Sequence, residues 1–487
     1  MTRISNLRSG SVLLTASLGT LLVLADYTAP LTTLAPTARA LHAGLTAQTW
    51  VLTGMLLGLA ALLLTMGSAA DDYGRRRVFR GGAALMLLSA ALSAAAPDTG
   101  VFIAGRVLQG CAGAALLASS LGLVGHAYPS GPLRVRATGI WGASVGLGIA
   151  AGPVYAALAE RAIGWRSVYW GLALLSAVVL VLAAGVSESR SERRRRLDSA
   201  GVATLAAGSA CIVAGLAQGR FGWGRADVLV LLVIGVLLLA SFVLVESRVA
   251  GPMLELSLLR NPGFVASCGG ALFTGLAIVG IMSYLPTILE LSLGQSPLAA
   301  SGILAIWSGL SFVVALQARR FASRVRATTQ VAGSLLACAA GEAALYGLHV
   351  GESWLQVAPG LAIAGIGSGI LNAALARLAV ASVPPRRSAM GSGANNTFRY
   401  IGSSLGVAVV VTVVAQGSSA RGHAEALAAG ANQAVVVSAL LCLAGAVTCA
   451  LTRVAETRAA CAPMPAPGEE SAALPHGAVV DGRAARG

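Results

Sequence analysis

Long uncharged stretches alternate with short polar links along nearly the whole chain. The stretch from Trp50 to Met66 carries no charge, and the polar link GSAADDYGRRRVF follows it at residues 67–79. The apolar blocks are about 20–25 residues long, close to the roughly 20 that an α-helix needs to cross a bilayer core of about 30 Å. Because strict apolar–polar alternation is absent, the pattern predicts membrane-spanning helices rather than a closed barrel.

The hydropathy pattern predicts about fourteen spans. They begin near residues 11, 46, 78, 100, 137, 167, 199, 227, 264, 297, 327, 354, 387 and 431. Arg3 and Arg8 precede the first block, as in a signal peptide, but its apolar run continues to about Leu34 and contains Asp26. That run is too long for a signal core, so we expect a retained first helix. The sequence therefore predicts an all-α polytopic membrane protein.

Charge is scarce and unevenly distributed. Charged residues make up 11% of the 487 residues and hydrophobic residues 56%, whereas an ordinary soluble domain is about 25% charged. The chain has no lysine, and its arginines concentrate in alternate links, at 75–80, 134–136, 190–196, 248–260, 319–326 and 386–387. The positive-inside rule places these links and both termini in the cytoplasm. The net charge of +15 is then a topology signal with anionic-lipid contact, and we expect no nucleic-acid binding.

Motifs for bound cofactors are missing from the sequence. The seven cysteines form no CxxC pair or His/Cys cluster, and no GxxxxGK[ST] phosphate loop occurs, so we expect no metal, no other cofactor and no ATP-driven pump. The links are too short for a soluble catalytic domain, so we do not expect an enzyme. A membrane-embedded enzyme or sensor is the less favoured alternative. The Pro-, Gly- and Ala-rich segment 454–487 is predicted to be a disordered cytoplasmic tail.

The polar link at residues 67–79 has a defined spacing of small and charged residues. Its motif comprises Gly67, Asp71, Gly74, Arg75 and Arg76, and it resembles the signature loop of the major facilitator superfamily, GxLaDrxGRK/R. We expect the first glycine to allow close helix approach and the second to allow a tight turn with positive φ. Asp71 is expected to pair with a positive residue or to cap a neighbouring helix. The alternative is a positively charged topology anchor.

Two further segments are similar to motifs of the same superfamily. FIAGRVLQGCAGA on the fourth span matches RxxqGxgaa through Arg106, Gln109, Gly110 and Gly113. GASVGLGIAAGPVYAA on the fifth span matches the antiporter motif GxxxGPxxGG through Gly148, Gly152 and Pro153, with alanines at the final two glycine positions. The resemblance implies an exporter rather than an importer. We expect these fifth-span residues to pack closely, with a bend, at the interface that seals during exchange.

The number of spans indicates one branch of that superfamily. LADYTAPLTTLAP, GWRSVYW and NNTFRYIGSSLGVAV, with about residues 10–453 as a whole, resemble the fourteen-helix drug:proton antiporters. The resemblance implies two six-helix bundles, 1–186 and 248–453, related as parallel repeats, with two inserted helices at 187–247 between them. It also implies a monomer in the plasma membrane that carries an amphipathic small molecule and protons.

Two charges are predicted at one depth in the first bundle. Asp26 lies about fifteen residues into the first helix, roughly 22 Å from the cytoplasmic side, and Arg106 about six residues into the fourth, roughly 9 Å from the outer side. In a core of about 30 Å these depths coincide. Charges at this depth cost several kcal/mol on insertion scales, so we expect a proton-coupling role. The alternative is a static structural ion pair.

Other intramembrane polar residues are candidates for a substrate cavity. Asn395, Asn396 and Arg399 lie on the inner half of the thirteenth span, where helix–helix hydrogen bonding is the alternative. Glu290 ends the ninth span and is as well explained by solvation. Glu342, in the eleventh span, is equally consistent with a structural partner or a functional role.

These observations together predict a proton-coupled exporter of drugs, antibiotics or other amphipathic molecules. An importer, or an exporter of one metabolite on the same fold, is the alternative. The sequence does not name the substrate, because the shape of the cavity depends on packing.

Overall fold

A computed structural model describes residues 2–190, 198–219, 221–249, 252–317, 320, 325–351, 353–417 and 422–461. Within these residues the fold is helical. We number the fourteen main helices α1 Thr2–Thr28, α2 Leu45–Tyr73, α3 Arg75–Ala95, α4 Thr99–Ala127, α5 Gly131–Ile163, α6 Trp165–Ala184, α7 Ser199–Gly219, α8 Ala226–Arg248, α9 Pro262–Leu293, α10 Pro297–Leu316, α11 Ala327–Ala343, α12 Val357–Ala381, α13 Ser388–Ala415 and α14 His423–Cys461.

Thirteen helices in the described part of the chain are long and apolar enough to cross a membrane. The remaining predicted span is α11, which is shorter, at 17 residues. The prediction of about fourteen spans and an all-α membrane fold is therefore confirmed. α14 extends past the predicted tail boundary at residue 453, because the segment up to Pro463 is rich in helix-forming residues. The rest of the tail, 462–487, lies outside the described residues.

The first and ninth spans are interrupted at specific residues. α1 ends at Thr28, and the short helix Pro30–Ala40 continues beyond it with Pro30 in its first turn. α9 contains a π-helical segment, Thr274–Val279, between two α-helical parts. Such segments are frequent at functional sites. Here two glycines, Gly275 and Gly280, bring α9 into backbone contact with α13.

The apolar core falls into two main clusters, one built mostly from α1–α6 and one from α9–α14. α7 and α8 pack against each other, and α7 also contacts α2 and α13 at the groove between the clusters. α8 is the most exposed span, with 17% of its most apolar window buried. An apolar helix with this exposure faces lipid. The exact domain boundaries proposed above remain a prediction.

In the described part of the chain, the two halves meet mainly through α2 with α13, α4 with α13, α5 with α10 and α5 with α12. Glycines allow this approach. A Cβ atom on Gly142 would lie 3.1 Å from the backbone nitrogen of Ala373, and one on Gly146 would lie 3.0 Å from that of Phe312. Each half is therefore held against the other by close backbone contacts, which leave little space at the centre.

Candidate functional site

Asp26 and Arg106 form a buried ion pair between α1 and α4. Arg106 Nη1 donates to Asp26 Oδ1 at 2.7 Å, and both side chains are 0% exposed. Arg106 Nη2 also donates to the backbone carbonyl of Asp26 at 3.1 Å. That carbonyl is available because Pro30, four residues on, has no N–H to bond it. The proline that interrupts the first span therefore also provides the carbonyl acceptor for Arg106. The sequence analysis did not predict this connection.

The ion pair is enclosed by further side chains. Arg106 Nη1 donates to Gln109 Oε1 at 2.6 Å, and Nη2 contacts Met55 Sδ at 3.4 Å. The guanidinium carbon lies 6.0 Å from the ring centre of Tyr169. Asp26 Oδ2 has no hydrogen-bond partner among the described residues. One carboxylate oxygen is therefore committed to the arginine, and the other can accept a proton.

The antiporter-motif glycines of α5 pack against α1 on either side of Asp26. A Cβ on Gly148 would lie 2.7 Å from Leu24 Cβ, and one on Gly152 would collide with Thr28 Oγ1. The carbonyl of Pro153 accepts a bond from Thr32 Oγ1 at 3.2 Å. We expected this motif at the interface that seals during exchange. The structure places the two glycines against α1 within one bundle, with Gly142 and Gly146 on the face of α5 toward the other half, whereas Pro153 lines a cavity shared with the second half.

The glycines of the fourth-span motif have the same packing role between α4 and α2. A Cβ on Gly110 would collide with the carbonyl oxygen of Met55 and lie 2.9 Å from Gly58 Cα. A Cβ on Gly113 would lie 3.0 Å from Val23 Cγ1 on α1. These glycines hold α1, α2 and α4 together around the ion pair.

The link between α2 and α3 joins the two halves. Asp71 is fully buried and accepts two bonds from Arg75, at 2.9 Å from Nε and 2.7 Å from Nη2. Its carboxylate also accepts from the backbone N–H groups of Ala389 at 3.2 Å and Met390 at 2.8 Å, in the first turn of α13. A carboxylate at a helix N-terminus is stabilised by the unpaired N–H groups there. Arg75 Nη2 in turn donates to the carbonyl oxygens of Pro385 and Arg386.

The glycines of this link serve two different contacts. A Cβ on Gly67 would lie within 3.1 Å of Met390 Cα and closer still to the carbonyl oxygen of Ala389. Gly74 has a φ of 121°, a conformation that favours glycine. A Cβ there would also lie 2.7 Å from a carboxylate oxygen of Glu188, which accepts a bond from the Arg76 N–H at 3.1 Å.

Three residues at this end were not identified as site residues from the sequence. Arg387 Nη1 donates to Asp72 Oδ2 at 3.2 Å, which is a buried ion pair between the halves. Glu188 joins the α6–α7 link to the start of α3. The two adjacent acids in GSAADDYGRRR were the available signal for Asp72. Nothing in the local pattern indicates which arginine would meet it.

A small cavity lies at the centre, between the two halves. Its volume is about 30 Å³. From the first half it is lined by Leu24, Tyr27, Leu117, Trp141, Val145 and Ile149, and from the second by Val279, Asn396, Arg399, Tyr400 and Ser403. Tyr27 and Tyr400 meet edge to face across the interface, with ring centres 6.2 Å apart.

A second cavity of about 30 Å³ continues from the first, away from the α2–α3 link. The two share Tyr27, Ile149 and Val279, and the second adds Trp307, whose Nε1 donates to Ser368 Oγ at 2.9 Å. Drug-sized ligands occupy clefts of about 300–1,000 Å³. The protein is therefore closed around its centre, and the halves must separate to admit such a ligand.

The remaining candidate residues lie in different surroundings. Asn396 and Arg399 line the central cavity, whereas Asn395 Nδ2 donates to Ser267 Oγ at 2.9 Å within the second half. Glu290 is half-buried near the end of α9 and lines neither cavity. Glu342 is fully buried in α11 beside Ser438 and Cys442 of α14.

Comparison with known proteins gives one family across most of the chain. The sequence profile of the Major Facilitator Superfamily matches residues 16–407. The puromycin resistance protein of Streptomyces alboniger is 33% identical over 407 residues, covering 81% of this chain and 79% of its own. The cephamycin export protein of Amycolatopsis lactamdurans is 32% identical over 405 residues, covering 82% of this chain and 83% of its own.

Solved structures agree in fold. The human organic anion transporter MFSD10 superposes with a TM-score of 0.64 at 18% identity, covering 91% of this chain and 99% of its own. The proton:xylose symporter XylE superposes with a TM-score of 0.65 at 14% identity, covering 91% of this chain and 95% of its own. At these identities the likeness concerns the fold alone.

Proposed function

This chain belongs to the major facilitator superfamily, and on that premise we propose that it is a proton-coupled exporter of amphipathic antibiotics or drugs. Relatives at about one-third identity over most of the chain are named for resistance to, or export of, one antibiotic. Those names support export rather than uptake. They also favour, as the second candidate, an exporter restricted to a single compound.

The observation that carries the coupling proposal is the ion pair of Asp26 with Arg106. Buried charges persist inside a membrane protein when they are paired or functional. Asp26 Oδ2 is unpartnered among the described residues, so it can take a proton without losing an existing bond. Protonation removes the negative charge that Arg106 faces, and breaking a buried pair costs about 3–5 kcal/mol. Proton binding therefore carries enough free energy to bias one arrangement of the helices over another.

The ion pair is coupled to helix positions through the α1–α5 contact. Gly148 and Gly152 leave no room between α5 and the α1 segment that carries Asp26. A change in the Arg106 contact that shifts α1 must therefore move α5 as well. α5 is also the helix that meets α10 and α12 of the other half, so a proton on Asp26 is transmitted to the interface between the halves.

The direction of opening follows from the arginine-rich links. We place these links in the cytoplasm of a multi-pass protein in the plasma membrane, with both termini inside. The contacts of Asp71 with α13 and of Asp72 with Arg387 then close the cytoplasmic side. When these contacts break, the cavity opens to the cytoplasm and the substrate binds. When they form again, the cavity opens outward and the substrate is released. The proton gradient supplies the energy, without ATP.

The experiment has two parts. Growth inhibition by a panel of amphipathic antibiotics, including puromycin, is compared in a pump-deleted host with and without this gene. Any protected compound is then tested for uphill transport in proteoliposomes under an imposed pH gradient, with a protonophore as control. We expect accumulation that the protonophore abolishes. Accumulation that is unaffected by the protonophore would refute proton coupling, and a panel without any protected compound would refute drug export.

A further inference from the structure

Arg399 occupies an unusual position among the buried arginines. It lies on α13 and lines the central cavity beside Tyr27, Trp141 and Tyr400, so it faces the space between the two halves. Its side chain is partly buried, and its Nε is buried without a hydrogen-bond partner among the described residues. The other described residues place no carboxylate within 4.0 Å of its guanidinium nitrogens.

Three arginines in the described part of the chain are almost fully buried, and each has a carboxylate partner. Arg75 pairs with Asp71 at 2.7 Å, Arg106 with Asp26 at 2.7 Å and Arg387 with Asp72 at 3.2 Å.

Two other partly buried arginines lack a carboxylate within 4.0 Å among the described residues, but they are satisfied by neutral acceptors: Arg134 donates to the carbonyl oxygens of Pro129 and Val380, and Arg377 donates to Gln330 Oε1. Arg399 differs from both in lining the central cavity without a hydrogen bond from its guanidinium to the described residues.

The intramembrane acids that could serve Arg399 have other surroundings. Asp26 is bonded to Arg106, and Glu342 lies on α11 beside Ser438 and Cys442 of α14. Glu290 is half-buried near the far end of α9 and is not part of the cavity. The positive charge of Arg399 therefore lacks a counter-ion from the described part of the chain.

The backbone of Arg399 is held rigidly. A Cβ on Gly275 of the π-helical segment would collide with the carbonyl oxygen of Arg399, which also accepts a bond from Ser403 Oγ at 2.8 Å. α9 therefore fixes this turn of α13 by direct backbone contact. Because the backbone at this position is already held by its neighbours, ligand binding costs ordering entropy only in the side chain of Arg399.

We propose that the central cavity binds its substrate through an anionic group, with Arg399 as the counter-ion. An unpaired cation in a low-dielectric site is costly, and a ligand carboxylate, sulfonate or ionised phenol relieves that cost. The planar guanidinium can hold such a group through two parallel hydrogen bonds. The rings of Tyr27, Trp141 and Tyr400 contact the apolar body of the same molecule. This assignment rests on the proposed export function and specifies its substrate class.

Exchange of an anionic substrate for a proton moves net charge across the membrane. Export of an anion and import of a proton both move positive charge inward. An inside-negative membrane potential therefore drives the exchange in addition to the pH gradient. A cationic substrate would instead oppose the charge movement of the proton.

The test compares two xanthene dyes of opposite charge, fluorescein (anionic) and rhodamine 123 (cationic). Binding to the purified full-length protein is measured by fluorescence anisotropy. We expect fluorescein to bind at least about tenfold more tightly, since a charge-assisted bond of this kind corresponds to about a tenfold to hundredfold change in affinity. Arg399→Gln should lose that preference, and Arg399→Lys should retain part of it, because an ammonium keeps the charge without the two parallel hydrogen bonds.

Arg377→Gln is the matched control. It removes one positive charge from α12, where Arg377 Nη2 donates to Gln330 Oε1 at 2.8 Å. Arg377 does not line the central cavity, so this variant should leave fluorescein binding unchanged. Equal affinity for both dyes, no fluorescein binding, or the same loss in Arg377→Gln would each overturn the assignment. The export function is judged separately by the growth panel. Protection against cationic compounds alone would therefore sustain export while overturning the anion site.

Discussion

The substitution Asp71→Asn tests whether the α2–α3 link holds the two halves closed. The Asp71–Arg75 bonds lie within one half and survive opening, whereas the bonds from Ala389 and Met390 N–H groups cross between the halves. Asparagine keeps one acceptor oxygen, so one of these two bonds is lost together with the negative charge at the start of α13.

The expected size of this loss follows from those contacts. A hydrogen bond to a charged group contributes about 1.5–3 kcal/mol, and a charge at a helix N-terminus about 0.3–1 kcal/mol. The closed state should therefore be destabilised by about 2–4 kcal/mol. At 1.36 kcal/mol per factor of ten, the open population should rise by about 30- to 900-fold relative to the closed one.

Thiol labelling measures this change directly. Ser392 is fully buried on α13, and its Oγ donates to the carbonyl of Leu117 in the other half. Ser392→Cys, in a background without other cysteines, should react slowly with a membrane-impermeant maleimide applied from the cytoplasmic side. Adding Asp71→Asn should accelerate the reaction by at least about 30-fold.

The matched control is Asp98→Asn. Asp98 also caps a helix, by accepting from the Val101 N–H at 2.9 Å, but within one half and at the other end of the molecule. This variant should leave the labelling rate unchanged. If Cys at position 392 is labelled at the same rate in the Asp71→Asn and Asp98→Asn variants, and both are expressed normally, the α2–α3 link is a topology anchor. That result would refute its role in holding the two halves closed.

Three further predictions concern coupling, packing and topology. Asp26→Asn should lose pH-driven efflux by at least about tenfold while still binding a neutral substrate; wild-type uphill transport in this variant would mean that another group carries the proton. Gly152→Leu should abolish export because it separates α5 from α1, whereas Gly309→Leu, with open space around its Cβ, should transport normally; equal activity would remove the packing argument. Reporter fusions at Gly224 and Glu192 should lie on opposite sides of the membrane, and the same side for both would contradict the placement of α7 and α8.

The helical fold and the approximate positions of the spans are determined by the sequence alone, because a chain that crosses a bilayer must satisfy its backbone hydrogen bonds within the span. Span length and hydropathy must match the hydrocarbon core, so the number and approximate position of the helices can be predicted locally. Charges inside spans are rare, so Asp26 and Arg106 could be selected, and their depths compared, without any knowledge of packing. The positions of motif glycines were likewise visible, though not their partners.

Partners far apart in the sequence were decided only by the tertiary structure. The residues that Asp71 caps, Ala389 and Met390, are more than 300 positions away, and hydropathy contains no information about such pairings. The glycines Gly148 and Gly152 of α5 were predicted at the sealing interface, yet they pack on α1. A nearly uniformly apolar helix does not show in its sequence which face contacts which neighbour, because those contacts depend on the packing of all the helices. Arg399 shows the same limit: the cation within a span is visible in the sequence, but its lack of a counter-ion among the described residues appears only when both halves surround it.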